Sequence, residues 1–364
     1  MLPSVQGYGA ERQIIELLKA LESEKVEPVL ATIYDPPPEI RSALPFRIVS
    51  ASRKGRRDVT FIIRLIRAIR EIHPHVVHTH THVGKYWGRL AGVAARVPRI
   101  VHTEHNPCDT RRNAVERVAD FLLHRATSRV ITFFAEQGEL LSANEGLPSG
   151  KVVVIPNGLQ LPDARSGDRA AARRAMGLRD GDFGIMLIGR MEFQKNQILA
   201  LRALAALPQP ERKACVLVFA GSGRDEETLR GLSHALDVEE NVRFLGFRND
   251  VPALLAGTDL VLMTSWFEGM PLALIEAMIA GVPILSTPWI GSGDMLGNGR
   301  FGFLTAGYEP EAVAAGIVDA VNHPAVRREM ANRAQRHVYE HYGISRMIDA
   351  HRRLYLELCE ELVS

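Results

Sequence analysis

The chain has 364 residues, 46% of them hydrophobic and 24% charged, with a formal net charge of +2, which describes a soluble globular protein long enough for two domains of ordinary size. Charge so near balance argues neither for nor against nucleic acid, and a near-neutral enzyme with no nucleic-acid partner is the favoured reading. Three distant cysteines, Cys108, Cys215 and Cys359, make neither a disulfide framework nor a metal box. No apolar run approaches the roughly 20 residues that span a bilayer and no signal-peptide core is present, so a cytoplasmic location is expected, with any membrane association peripheral.

The first residues, MLPSV, could form only the tail of a strand, so a doubly wound domain starting here has a short or truncated first strand. A glycine turn around Tyr8-Gly9-Ala10-Glu11 then leads into a helix with apolar residues at 14, 15, 17, 18 and 21. Apolar runs at 26–34, 46–50, 75–81, 99–105, 129–135 and 151–156 read as strands, with helical patterns between most of them. Such alternation implies a parallel sheet covered by helices, with ligands at the carboxyl ends of the strands.

Within this half, His73, His75, His78, His80, His82, His102 and His105 crowd together, and alternation could place His78, His80 and His82 on one strand face. No cysteine or carboxylate accompanies them at ligand spacing, so structural or cleft-lining roles are preferred to a metal. His105 ends the run RIVHTEHN, and two-residue alternation does not put it on the same face as His102. Arg53, Lys54, Arg56 and Arg57 precede a helix with apolar Ile62, Ile66 and Ile69 and basic Arg64, Arg67 and Arg70; Arg111, Arg112 and Arg117 form a second basic group. A solvated face of a sheet-covering helix is the plainer reading, and peripheral contact with a membrane surface stays open beside it. The run ending at Val154-Ile-Pro-Asn-Gly158 closes the first domain, and a polar stretch at 162–182 reads as linker plus helix.

In the second half, residues 184–189 form a strand followed by GRMEFQKN, which carries Arg190 and Lys195. Asp180 and Asp182 precede that strand, at the wrong end for chemistry, and read as a solvated turn. The turn Gly221-Ser-Gly223 lacks the third glycine of a dinucleotide fingerprint, Glu226 standing there, which argues against an NAD-dependent dehydrogenase. Asp259 to Thr264 reads as a buried parallel strand. At its exit Gly269 lets the backbone approach a ligand, Pro271 fits the first helical position, and Gly281 stands where a helix commonly ends. The amides of residues 270–273 and the helix dipole would face a phosphate. Glu268 lies in the turn and Glu276 two turns into an otherwise apolar helix, so both carboxylates can look into one crevice, or else serve as a turn residue and a solvent stripe. Residues 291–302 read as a glycine-rich loop containing Asp294, and 341–364 as a long helix.

The segment FEGMPLALIEAMIAGVPIL resembles the E-x7-E signature of family 4 retaining glycosyltransferases. The resemblance implies an α/β protein of GT-B fold: two Rossmann-like doubly wound domains facing across a cleft, an acceptor-side domain at 1–160, a nucleotide-sugar domain at 161–340, and a helix at 341–364 returning to the first. It implies Glu268 at the donor hexose, Glu276 on the ribose, the backbone of Gly269, Met270, Pro271 and Leu272 at the hexose and diphosphate, and Arg190 and Lys195 as the diphosphate's cations. The LGF turn with Gly246 would lie by the base, Gly9 at donor and acceptor, and His105, in a TEH triplet similar to the family's Thr-x-His, at the reacting hexose. HPHVVHTHTH and IPNG are similar to further family segments, whereas Tyr8 and Asp294 depart from its pattern. The expected activity is transfer of a hexose from a nucleoside diphosphate sugar to a saccharide or lipid-linked acceptor in cell-surface glycan synthesis. No cofactor and no metal is expected, because cations fixed in place can stabilise the leaving diphosphate. A sugar-nucleotide epimerase on the same fold and a non-catalytic nucleotide-sugar-binding protein are the alternatives.

Overall fold

Short apolar runs become short parallel strands in a computed structural model that describes residues 1–4, 9–22, 26–55, 57–105, 113–161 and 167–362. Tyr8, Arg56, Cys108, Arg111 and Arg112 lie outside the described residues. The chain divides into two units, Met1–Gly158 with Ile344–Ser364, and Leu159–Gly343.

In the first unit, β1 (Val29–Thr32) pairs in parallel with β2 (Arg47–Ser50), while β3 (Val76–His80), β4 (Arg99–Thr103), β5 (Arg129–Thr132) and β6 (Val152–Val154) follow one another in a four-stranded parallel sheet. The opening residues join these two pieces. Leu2 makes a parallel bridge to Thr32 and its N–H donates to Ala31 O at 2.9 Å, while His80 N–H donates to Met1 O at 3.3 Å. The order β2, β1, residues 1–3, β3, β4, β5, β6 is that of a doubly wound dinucleotide-type sheet. Helices Gly9–Leu21 and Ile344–Glu360 bury Leu17, Leu21, Met347, Leu354 and Leu358 against Val101, Ile131 and Ile155, so the C-terminal helix shares the first unit's core. Each such buried side chain contributes about 1.5–3 kcal/mol. The helix Phe61–Ile72 turns Phe61, Leu65 and Ile69 inward, which makes it the sheet-covering helix of the plainer reading.

The second unit is one parallel sheet in the order β12, β11, β10, β7, β8, β9, built from β7 (Phe183–Ile188), β8 (Cys215–Ala220), β9 (Val242–Phe244), β10 (Leu260–Met263), β11 (Ile284–Ser286) and β12 (Phe303–Leu304). Every residue of β8 and β10 is buried, which is why these strands are written as unbroken apolar runs. The strand order reverses between β10 and β7, and open sheets of this type take ligands in the crevice at that point, beyond the carboxyl ends of the strands.

Three sequence expectations need correction. Pro271 has ψ 122 and caps the helix Leu272–Ala280 from outside, so the helix starts one residue later than expected, while Gly281 ends it with φ 66. His82 is not on the strand: β3 ends at His80, Thr81 takes φ 63, and His82 lies in a short helical turn with its ring 5.1 Å from that of Tyr86. Residues 291–302 are not a loop but helical turns, Ser292–Met295 and Gly297–Gly299, pinned by fully buried Met295 and Leu296. Among the described residues, no helix is long and apolar enough to cross a membrane.

Candidate active site

The loops leaving β7 and β10, adjacent parallel strands, are sewn together. Trp266 N–H donates to Gln194 O at 2.9 Å, Thr264 Oγ1 to Lys195 O at 3.0 Å, and Gln194 Nε2 to Phe267 O at 3.0 Å. Into this seam points the Glu268 carboxylate, 6% exposed, and a carboxylate so placed must be satisfied by donors. Lys195 Nζ lies 2.6 Å from its Oε1, Ser265 Oγ donates to the same oxygen at 2.5 Å, and Gln194 Nε2 donates to Oε2 at 3.3 Å. An ammonium carries three donors, so this contact leaves Lys195 able to serve a second anion. Arg190 is exposed and its Nη2 lies 2.8 Å from Glu192 Oε1, a solvated pair of little energetic weight, while its carbonyl accepts from Gln197 Nε2 at 2.8 Å.

The neighbouring turns close on the same end of the sheet. Met191 N–H donates to Ser222 O at 3.0 Å, and Gly221 N–H to Gly246 O at 2.8 Å. Gly221 has φ 157, and a Cβ there would sit 2.0 Å from the Gly189 carbonyl oxygen, so close approach of two turns, not a dinucleotide, accounts for this glycine. Gly246 has φ 67. Leu272 and Ala273 stand in the first helical turn, where amides precede the first intrahelical acceptor, and Glu276 is half-buried about one turn on, not the two turns that the sequence suggests. The second unit thus brings Arg190, Lys195, Gly246, Glu268, Gly269, Met270, Pro271, Leu272 and Glu276 onto loops and a helix start at one end of its sheet.

Gly9 begins the helix Gly9–Leu21 in the first unit. There His105 lines a cavity of about 20 Å³ with Gln13, His80, Thr103, Asn157 and His351, room for one water molecule. His105 Nε2 is 3.1 Å from His80 Nδ1. Burial pushes the His105 and His351 imidazoles down to about 4, and burial followed by neighbouring His78 holds His80 well below the usual value. At neutral pH His105 is therefore an uncharged ring with one donor and one acceptor nitrogen. His102 faces elsewhere, its Nδ1 3.1 Å from Thr79 O.

Sequence reasoning missed the companions of Glu268, namely Ser265 and Gln194, whose placement depends on which loops meet. It also missed a buried charge network. Lys85 Nζ lies 2.8 Å from both Glu104 Oε2 and Glu145 Oε2, His124 Nε2 is 2.9 Å from Glu145 Oε2, and Tyr86 OH donates to Asp120 Oδ2 at 3.3 Å. Fully buried Arg89 reaches His124 Nδ1 at 3.3 Å and Thr127 Oγ1 at 3.4 Å. Burial alone would raise the Glu104 carboxyl, yet Lys85 and the nearby His102 imidazole, 3.8 Å away, hold it well below the usual range. Asp120, His124 and Glu145 offer ligand-type atoms within 4.8 Å of one another, but Lys85 and Arg89 already supply the positive charge there. The spacing of Lys85 with Arg89, two cations four apart on a segment otherwise without charge, is the sequence signal that could have found the network.

Residues 8–161 match the family described as Glycosyltransferase Family 4, and residues 168–337 match Glycosyl transferases group 1. The chain is similar to the UDP-Gal:alpha-D-GlcNAc-diphosphoundecaprenol alpha-1,3-galactosyltransferase of Escherichia coli, 27% identical over 316 residues that cover 83% of this chain and 80% of the relative. It is also similar to the D-inositol 3-phosphate glycosyltransferase of Streptomyces scabiei, 31% identical over 294 residues covering 74% of this chain but 65% of that protein, just under two thirds of its length. Among solved structures, Anabaena HepE in complex with UDP and glucose shares the fold with a TM-score of 0.84 over 98% of this chain and 99% of that one, at 20% identity. A parallel doubly wound sheet in each unit and a family match on each unit agree, and the chain belongs to the family 4 glycosyltransferases, enzymes of GT-B fold.

Proposed function

We propose that the protein is a retaining, metal-independent hexosyltransferase, which moves a hexose from a nucleoside diphosphate sugar to a saccharide or lipid-linked acceptor in cell-surface glycan synthesis, working in the cytoplasm at the inner face of the membrane. The observation that carries the donor half of this reading is the Lys195–Glu268 pair at the crevice where β7 and β10 meet. Glu268, held by three donors, presents carboxylate oxygens to hexose hydroxyls, and Glu276 takes the ribose hydroxyls, which donate without carrying charge. Arg190, Lys195 and the backbone from Gly269 to Leu272 at the helix start receive the diphosphate, and the turn with Gly246 lies beside the base. Gly9 and the neutral His105 serve from the first unit, His105 as a hydrogen-bonding partner for a sugar hydroxyl.

In the step we infer, the acceptor oxygen forms its bond to the anomeric carbon on the face from which the diphosphate leaves. As the carbon–oxygen bond to phosphate breaks, the departing oxygen takes the acceptor's proton. The added negative charge is met by Lys195 and Arg190, cations of the chain itself, so no metal is needed for that stabilisation. The acceptor named for the Escherichia coli relative, a diphosphoundecaprenol-linked sugar, supports a lipid-linked acceptor and with it peripheral membrane contact.

Glu276→Ala is expected to weaken nucleotide-sugar binding about tenfold, the loss of one or two hydrogen bonds to a charged group, while thermal unfolding stays as in the parent. Titration calorimetry with UDP-, GDP- and ADP-hexoses reads this directly. Unchanged affinity for the donor that the parent binds would remove Glu276 from the donor site.

A further inference from the structure

Two neighbouring helical segments of the first unit are inside out. In the helix Ala114–Ala126 the residues turned inward are Asp120 and His124, 0% and 1% exposed, while Val115, Val118 and Leu122 stand 77%, 59% and 58% exposed on successive turns. The helical segment 84–94 repeats the pattern, with Lys85 and Arg89 buried and Trp87, Leu90 and Val93 exposed. Tyr86–Asp120 and Arg89–His124 contacts tie the two segments through their inward, polar faces, so their apolar faces lie side by side on the outside. A helix that folds only against its own sheet shows the opposite polarity, as Phe61–Ile72 does here. Burying three carboxylates and two cations is costly, and intramolecular packing gives no reason to turn valine and leucine outward.

We propose that the outward face of segments 84–94 and Ala114–Ala126 docks on an anionic lipid bilayer. This rests on the reading of a lipid-linked acceptor and names the surface that would bring the enzyme to it. Charge selects the occupant: Arg117 and Arg125 are exposed among the apolar residues, Arg125 lying 3.9 Å over the Phe121 ring, where its stem can stay in the apolar layer and its guanidinium reach a phosphate. The half-buried Glu116 is engaged in the helix's capping box with Asn113. Trp87, edge-on to Phe61 at 5.3 Å, is an amphipathic ring of the kind that settles at a bilayer interface. A second copy of the chain on this face would set like arginines against one another.

Flotation of the full chain with phosphatidylcholine vesicles, with and without about 30 mol% phosphatidylglycerol, tests the proposal. The parent is expected to float with the anionic vesicles, poorly with the neutral ones, and to be released by salt. Val118→Asp with Leu122→Asp should lower vesicle partition at least about tenfold, with transfer to a water-soluble acceptor analogue unchanged. Arg117→Glu with Arg125→Glu should abolish the preference for anionic vesicles. A parent that ignores both vesicles, a double aspartate variant that floats as well as the parent, or a parent dimer in gel filtration that the same variant dissolves would each overturn it. A parent that transfers hexose but binds neither kind of vesicle condemns the docking face alone, whereas absence of transfer from any donor condemns the reading it rests on.

Discussion

Lys195→Ala is expected to lower kcat by roughly two to three orders of magnitude, the size of effect seen when one group aimed at developing charge is removed. The lysine is held where that charge would grow: its Nζ is 2.6 Å from Glu268, its carbonyl accepts from Thr264 Oγ1 at 3.0 Å, and its loop is stitched to the one after β10. Donor affinity should fall much less than turnover, because in the proposed site Arg190 and the helix start at Leu272 would still meet the diphosphate. The loss therefore belongs in kcat more than in KM. Steady-state kinetics with the preferred donor make the comparison. A variant that turns over as fast as the parent would show that Lys195 does not meet the leaving group.

Lys85→Met should be the most destabilising single change in the first unit. It removes the ammonium that lies 2.8 Å from Glu104 and Glu145 and leaves three buried carboxylates, with Asp120, facing one remaining cation, Arg89. Breaking a buried ionic cluster in this way costs about 3–5 kcal/mol. For a unit of this size that is a fall in Tm of about 10 °C, read by calorimetry or by urea unfolding. Replacing Lys85 and Glu145 together by apolar residues should recover part of the loss, since the uncompensated charge is then smaller. A Tm unchanged in Lys85→Met would mean that the network carries no stability.

Much of the backbone around the candidate donor site is legible in the sequence because it is written in local rules. The run Asp259 to Thr264 lacks alternation since β10 is buried on both faces, and Gly281 marks the helix end because its φ of 66 suits glycine. Pro271 misled by one residue, as proline is compatible with both the first helical position and the extended residue before it. His82 misled because alternation continues in the letters two residues past His80, the end of β3, although Thr81, at φ 63, has already turned the chain out of the strand. Ser265 and Gln194 could not be read at all, since their value lies in two loops distant in sequence meeting across adjacent strands. The burial of Lys85 and Arg89 was missed for a different reason: their spacing is a hint, but a basic residue on a helix is expected in water, and only the partners Glu104, Asp120, His124 and Glu145, spread over 42 positions of sequence, explain why they are buried.

The claim on which the rest depends is that the second unit's loops hold a nucleoside diphosphate hexose by the chain's own cations and acids. Product formation from UDP-, GDP- and ADP-hexoses with a saccharide acceptor in excess chelator, with the anomeric configuration of the product read by proton NMR, tests it most directly. One of these donors is expected to be consumed in chelator, with its anomeric configuration kept in the product. Loss of transfer on chelation, or a product of inverted configuration, would contradict it.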